Sequence, residues 1–324
     1  MQSSSDDIDN PLISLAVPIY KPTDKYLRDL VESVRDQDYR PLELVMCDDA
    51  SGADLDWLPE LKTSGITIKR AVNERRAGMV GNWNAAVSHS TGEFVILLHQ
   101  DDLLATSSVR RLSDALRSDS SVVAVGSAPI FIDAEGNVLE RKLRVNHRSK
   151  IFLRENFYRL DRKQLIYLSL RNGQALGEPS AVMFRKDAFL QVGGYDAKYE
   201  HAADVDFTLR LASIGDAVYV NQALFLRRWH QSNLTHHNRV SGLVARDRRV
   251  LYRRYADMLE SRERGRVRAA MVSYAFFDGR MAARFGDVRG VLGAFGPPDI
   301  WRVRPRTLIE RAREVTSGHN LDRR

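Results

Sequence analysis

An α/β fold, with a mostly parallel sheet flanked by helices and a helical extension behind it, is what this sequence predicts. Three observations carry that expectation. Short apolar runs of strand length alternate with helix-length segments through the first half, which calls for crossover connections and parallel strands. Three of those runs stop at polar groups: Pro18 and Tyr20, Asp48-Asp49, and Asp101-Asp102. From about Ser241 onward the apolar residues recur at helical spacing in a charged background.

Residues 13–20 form a short apolar run, and Pro18 belongs near its end because proline donates nothing to a ladder. Asp24 is placed to cap the next segment, where Leu27, Leu30, Val31 and Val34 recur at helical spacing. Pro41 breaks the chain before a second strand, residues 42–47, and residues 66–71 alternate weakly as a third. Residues 78–90 read as a helix stopped by Thr91-Gly92, and residues 93–98 as a fourth strand running into His99-Gln100-Asp101-Asp102. Ligands of parallel sheets sit at the carboxyl ends of strands, so these polar strand ends share one edge. Further on, residues 122–126 continue the sheet and residues 131–138 read as a hairpin with an acidic glycine turn. The polar, basic stretch 141–163 is expected as a mobile connection over the site. Residues 181–184 are a short strand, a helix starts at Lys186, and a helix over 206–214 is closed by Gly215.

Composition narrows the class. The chain has 324 residues, 44% hydrophobic and 28% charged, as a water-facing globular protein would. No apolar run approaches the roughly 20 residues that span a bilayer, and the polar, acidic start lacks the regions of a signal peptide. One cysteine, Cys47, excludes an internal disulfide framework and fits a reducing, cytoplasmic setting. The net charge of +7 is uneven: from Ser241 on there are 19 Arg and no Lys against 10 Asp and Glu. That tail suits an anionic membrane surface, although Arg on solvated helix faces would look the same.

The acidic strand ends carry the chemistry. One member of an Asp pair often only caps a helix. Two such pairs on one edge instead favour a hard divalent cation, Mg²⁺ or Mn²⁺, held by one or two carboxylates and substrate phosphates. No Walker or dinucleotide glycine fingerprint is present.

Val17-Pro18-Ile19-Tyr20, Asp48-Asp49-Ala50-Ser51, Asn73 through Gly78 to Asn84, Thr91 to Val95, and Leu98-His99-Gln100-Asp101-Asp102 resemble glycosyltransferase family 2 in order and spacing. Gly193-Gly194-Tyr195-Asp196, Ala203-Asp204-Val205-Asp206-Phe207, Trp229-His230 and Ser232 to Thr235 extend the resemblance over about residues 12–238. It implies the GT-A fold and an inverting, metal-dependent transfer of one sugar from a nucleoside-diphosphate sugar to a hydroxyl acceptor, in cell-surface polysaccharide or glycolipid synthesis. On that resemblance the chain divides into a GT-A domain, 1–240, with a donor half (12–115) and an acceptor half (116–240), and a basic extension, 241–324. Pro18 and Tyr20 would shape the base pocket, Asp49 would bind the nucleobase, and Asn84 would flank the nucleotide. Asp101 and Asp102 match the metal and ribose motif, with Asp102 the direct ligand. His99 stands where many members carry the first Asp, so the site has fewer carboxylates or uses His99 itself. Asp204 matches the catalytic base, with Ala203 in place of its usual Glu neighbour; the competing role is a cap for the following helix. His230 would reach the metal or diphosphate, against a packed structural role, and Arg228, beside Arg227, would contact the donor phosphates. Gln222 and Arg228-Trp229 are too far apart for the processive members' motif, which favours single addition. Two other classes remain in view: a nucleotidyltransferase, which lacks its phosphate loop at residues 19–23, and a nucleic-acid binder using the Arg-rich tail, which lacks interleaved aromatics.

Overall fold

The computed structural model describes residues 10–58, 65–139, 157–199, 201–229, 241–284 and 287–295. Its centre is a nine-stranded sheet. The first four strands, β1 (Ile13–Ile19), β2 (Leu42–Asp48), β3 (Ile66–Val72) and β4 (Phe94–Leu97), pair in parallel in the order β3-β2-β1-β4. Helices α1 (Asp24–Arg35) and α2 (Gly78–His89) make two of the crossovers.

The second half is mixed. After the two-residue β5 (Leu103–Leu104) and helix α3 (Ser108–Arg117) comes β6 (Val122–Ile132), followed by β7 (Phe157–Leu160) and helix α4 (Arg162–Asn172). Strand β8 (Val182–Arg185) runs antiparallel between β4 and β6. The reason lies in its approach: the 3-10 turn Pro179–Ala181 is tied to the carboxyl end of β4, where the Ser180 hydroxyl accepts from His99 N. A strand starting at that edge must run back. Helices α5 (Lys186–Val192) and α6 (Ala203–Leu211) lead to β9 (Asp216–Arg228), which is parallel to β6 and antiparallel to β5 and β7.

The two sheet faces are separate cores. Ile13, Leu15, Val17 and Ile19 of β1 point with Phe94 and Ile96 toward α1 and α3, whereas Ala16, Val95 and Leu97 point toward α2, α4 and α6. This alternation makes every strand of the parallel half except β3 a continuous buried run. Behind the second core lie α7 (Leu243–Tyr255), α8 (Ser261–Arg284) and α9 (Val288–Phe295). Leu251, Tyr252, Tyr255, Leu259, Val267 and Met271 join one buried cluster with α4 and α6. The change near residue 240 is therefore one of composition and not the edge of the core.

Some local expectations are corrected. Thr23, not Asp24, is the N-cap of α1, and Asp24 sits in its first turn, where a carboxylate still favours the helix dipole. The stretch 141–163 is not all connection. Residues 140–156 lie outside the described residues, but the remainder is β7 and the start of α4. A reciprocal capping box of Asp161 and Gln164 begins α4. The polar composition concealed an edge strand and a capped helix.

Candidate active site

The chain leaves β1 toward β2 and β3 on one side and returns as β4 on the other. That makes the gap beyond the carboxyl ends of β1 and β4 a topological switch point. Pro18 keeps it open. Odd residues of β1 bond to β2, as Ile19 O does to Asp49 N, and even residues face β4, as Ala16 O does to Leu98 N. The missing N–H of Pro18 therefore falls on the β4 side, where pairing stops at Ala16 and Leu97. The side chain of Gln100 bridges the seam instead: its Oε1 accepts from Tyr20 N at 2.9 Å and its Nε2 donates to Tyr20 O at 3.2 Å. One amide side chain does the work of a peptide rung.

The first acidic pair proves structural in part. Asp48 folds the turn after β2, accepting from the backbone N–H groups of Ser51 and Gly52 at 3.1 and 3.0 Å. Asp49 is buried; its Oδ1 accepts from Asn73 Nδ2 at 2.8 Å and Ala77 N at 2.6 Å, and its Oδ2 from Gly78 N at 2.9 Å. A carboxylate has about four acceptor sites, so Oδ2 retains capacity for one more donor. Beside it the half-buried Tyr20 ring has the Arg76 guanidinium 4.4 Å from its centroid. Asn84, expected at the nucleotide, is committed elsewhere: its side chain exchanges two 2.8 Å hydrogen bonds with the backbone of Tyr195. The asparagine beneath the strand ends is Asn82, which donates to Ile19 O at 3.1 Å and Cys47 O at 3.2 Å. Helical periodicity separates these two residues by about 200°, the signal that distinguishes them.

The second acidic pair lies past β4. Asp102 is buried and accepts from Ser180 Oγ at 2.6 Å and from Arg228 N at 3.2 Å. Burial, and next the charge of Asp101, hold its carboxyl well above the usual carboxylate range. The His99 ring lies 5.2 Å from that of Trp83, tilted by 31°, its Nδ1 is 3.8 Å from Asp102, and its buried Nε2 finds no hydrogen-bond partner among the described residues. Burial lowers the pKa of His99 and so favours the neutral ring.

The two arginines are placed differently. Arg228 is fully buried under the site, where it donates to Asp29 at 3.0 Å and to the carbonyls of Asp101 and Ala134 at 3.1 and 3.0 Å. Its guanidinium also lies 4.3 Å from the Tyr26 ring centroid. A side chain so enclosed does not reach a donor phosphate. Arg227 is the one that faces the acidic groups. It donates to Glu178 at 2.6 Å; burial pulls its pKa down, but the charges of Glu178, Asp102, Asp101 and Asp204 together raise it.

Asp204 stands in the first turn of α6, whose N-cap is Ala202, so it is not the cap. It accepts from Gln174 Nε2 at 2.7 Å and Val205 N at 2.8 Å. Burial, and then the charge of Glu178, push its pKa up to about 7. Gln100, Gln174, Glu178 and Ser180 join the site without having been singled out as site residues by the sequence. Burial along β9 does not alternate regularly and its pairing with β6 carries register shifts, so the strand period alone does not separate Arg227 from Arg228. His230 and Ser232 to Thr235 lie outside the described residues.

Among the described residues no three His, Cys, Asp or Glu side chains gather as a metal cage. The donor set still fits a divalent cation: two adjacent carboxylates follow one strand end, and a cation there would offset the burial and the Asp101 charge that raise Asp102.

Comparison with known proteins places this geometry. The profile of glycosyl transferase family 2 matches residues 14–193, more than half of the chain. The chondroitin synthase of Escherichia coli is 26% identical over 223 residues, covering 69% of this chain and 30% of that protein. The chain therefore spans less than a third of that relative. A Campylobacter jejuni GalNAc(5)-diNAcBac-PP-undecaprenol beta-1,3-glucosyltransferase is 31% identical over 134 residues, 40% of this chain and 41% of that one. Among solved structures, a mannosyltransferase from Pyrobaculum calidifontis in complex with GDP-Man and Mn²⁺ superposes with a TM-score of 0.55 at 16% identity, covering 98% of this chain and 81% of that one. This likeness establishes the shared GT-A fold.

Proposed function

This chain belongs to glycosyl transferase family 2, and from that we propose that it moves a single sugar, with inversion, from a nucleoside-diphosphate sugar to a hydroxyl acceptor in polysaccharide or glycolipid synthesis. One observation carries the reading: Arg227 pairs with Glu178 at 2.6 Å, and the charges of Asp101, Asp102 and Asp204, from both halves of the chain, act on it as well. The nucleotide lies along Pro18, Tyr20 and Asp49 at the switch point, with the Oδ2 of Asp49 free to accept from the base and the buried Asn82 beneath tying the strand ends together. Asp101 and Asp102 would hold a divalent cation, Mn²⁺ or Mg²⁺, which supplies charge neutralisation at the departing diphosphate. Arg227 exchanges Glu178 for a phosphate oxygen and stabilises the same leaving group. Asp204 takes the proton of the acceptor hydroxyl as it attacks, and a carboxyl raised to about 7 is a strong enough base to do so near neutrality.

The test is a panel of UDP-N-acetylglucosamine, UDP-glucose and GDP-mannose with Mn²⁺, scored for release of UDP or GDP. The expectation is release from at least one donor, abolished by EDTA. No release and no binding of UDP or GDP by calorimetry would sink the reading.

A second part concerns the acceptor. No helix of the described residues is long and apolar enough to cross a membrane. Arg253, Arg254, Arg262, Arg280 and Arg284 are exposed on α7 and α8, and each basic side chain near an anionic surface contributes about 1 kcal/mol. The extension thus supports peripheral attachment beside a lipid-linked acceptor. Sedimentation with phosphatidylglycerol vesicles, lost in 0.5 M salt (a strongly screening concentration, roughly), is expected; equal sedimentation with neutral vesicles would count against it.

A further inference from the structure

We infer that Asp247, on the first helix of the C-terminal extension, is a positioning residue for the transfer step: it holds the amino end of the helix that carries Asp204. The inference rests on Asp204 being the base. Helix α6 begins behind Ala202, a residue with no side chain to accept from the helix start. From 45 residues further along the chain the Oδ2 of Asp247 instead grips the cap residue and the one before it, accepting from His201 N at 3.0 Å and Ala202 N at 3.2 Å. Asp247 is 1% exposed, and Arg246 donates to its other oxygen from Nε at 3.2 Å and Nη2 at 3.1 Å. A buried carboxylate at the start of a helix is also favoured by the helix dipole.

A second tie lies two turns later on α7. Arg254 reaches within 3.8 Å of Oδ1 of Asp206, a fully buried carboxylate whose Oδ2 takes Arg210 at 2.7 Å. Asp204 sits midway between the two anchored positions, 202 and 206. Its own hydrogen bonds, to Gln174 and Val205, orient the carboxylate without fixing where the helix starts. A base must lie within hydrogen-bond reach of the acceptor proton, and a misplacement of about 1 Å costs up to about 10²-fold. The extension thereby sets the base in place while lying outside the cleft.

The experiment uses the full-length chain with whichever of UDP-N-acetylglucosamine, UDP-glucose or GDP-mannose the parent turns over with Mn²⁺. In D247A, kcat is expected to fall about tenfold or more. Donor KM and UDP binding should stay within about twofold, and amide exchange over residues 201–206 should accelerate. D247N keeps a carbonyl acceptor of the same reach and should hold kcat within about threefold of the parent. Should D247A not fold, D247S, too short to reach both amides, takes its place. Parent-like kcat in D247A or D247S overturns the inference, as does a D247N as impaired as D247A. D204N is run alongside: normal turnover there fells the base assignment itself, whereas an inactive D204N beside a fully active D247A fells only the role of Asp247.

Discussion

Charge decides the behaviour of single residues around the cleft. Because Asp204 must lose its proton to act and its pKa is pushed up to about 7, transfer should rise with pH through that region and level off above it. D204N should lose roughly 10²-fold or more of kcat with UDP affinity unchanged, so a normal rate in that variant refutes the assignment. The neighbouring arginines make a sharper pair. Arg228 has no exposed surface and binds Asp29 and several carbonyls, so R228A should lose about 3–5 kcal/mol of stability, read as a fall in the urea midpoint. R227A should melt close to the parent yet bind UDP with Mn²⁺ at least about tenfold more weakly. The reverse pattern would restore the role that the sequence suggested for Arg228.

At the scale of elements, the parallel strands were legible because burial on both faces writes continuous apolar runs such as residues 13–19 and 42–47, and the helices because Leu27, Leu30, Val31 and Val34 keep one face. The antiparallel entry of β8 was not, since four apolar residues carry no sign of direction. Helical periodicity separates Asn82 from Asn84 without saying which turns toward the ligand edge, and the irregular β9 does not separate Arg227 from Arg228; packing partners more than 90 residues away settle both. The far end of the sheet shows a similar long-range device. Glu43, buried in β2, accepts from Ser14 Oγ at 2.6 Å and from Thr91 N and Oγ1 at 2.7 Å, and it pairs with Lys69. Burial alone would raise its pKa, but these bonds outweigh it and lower the value to about 2. A depressed carboxylate contributes stability that is full above the ordinary glutamate range and lost as the pH falls through about 2. E43A should cost about 2–3 kcal/mol at neutral pH by leaving the Ser14 hydroxyl and strand-end donors unpaired. A parent-like urea midpoint would show the network to be idle.

For the whole molecule, the extension and the sheet share one core, so they should not separate. Burying a large apolar side chain contributes about 1.5–3 kcal/mol, and Leu251, Tyr252, Tyr255, Leu259, Val267 and Met271 would all be withdrawn by ending the chain at residue 240. Their sum rivals the roughly 5–15 kcal/mol that keeps a domain folded. The truncated chain should show no cooperative thermal transition; a sharp melt near the parent's would refute this. The sheet is spliced, meanwhile, at its most consequential point. Between β1 and β4, where Pro18 leaves a rung out, the amide of Gln100 closes the gap on the backbone of Tyr20. A main-chain rung cannot be exchanged by a codon change, whereas a side-chain staple can. Position 100 is thus a gauge screw on the mouth of the cleft: it can be shortened, lengthened or removed in a single evolutionary or engineering step, and the strands behind it stay where they are.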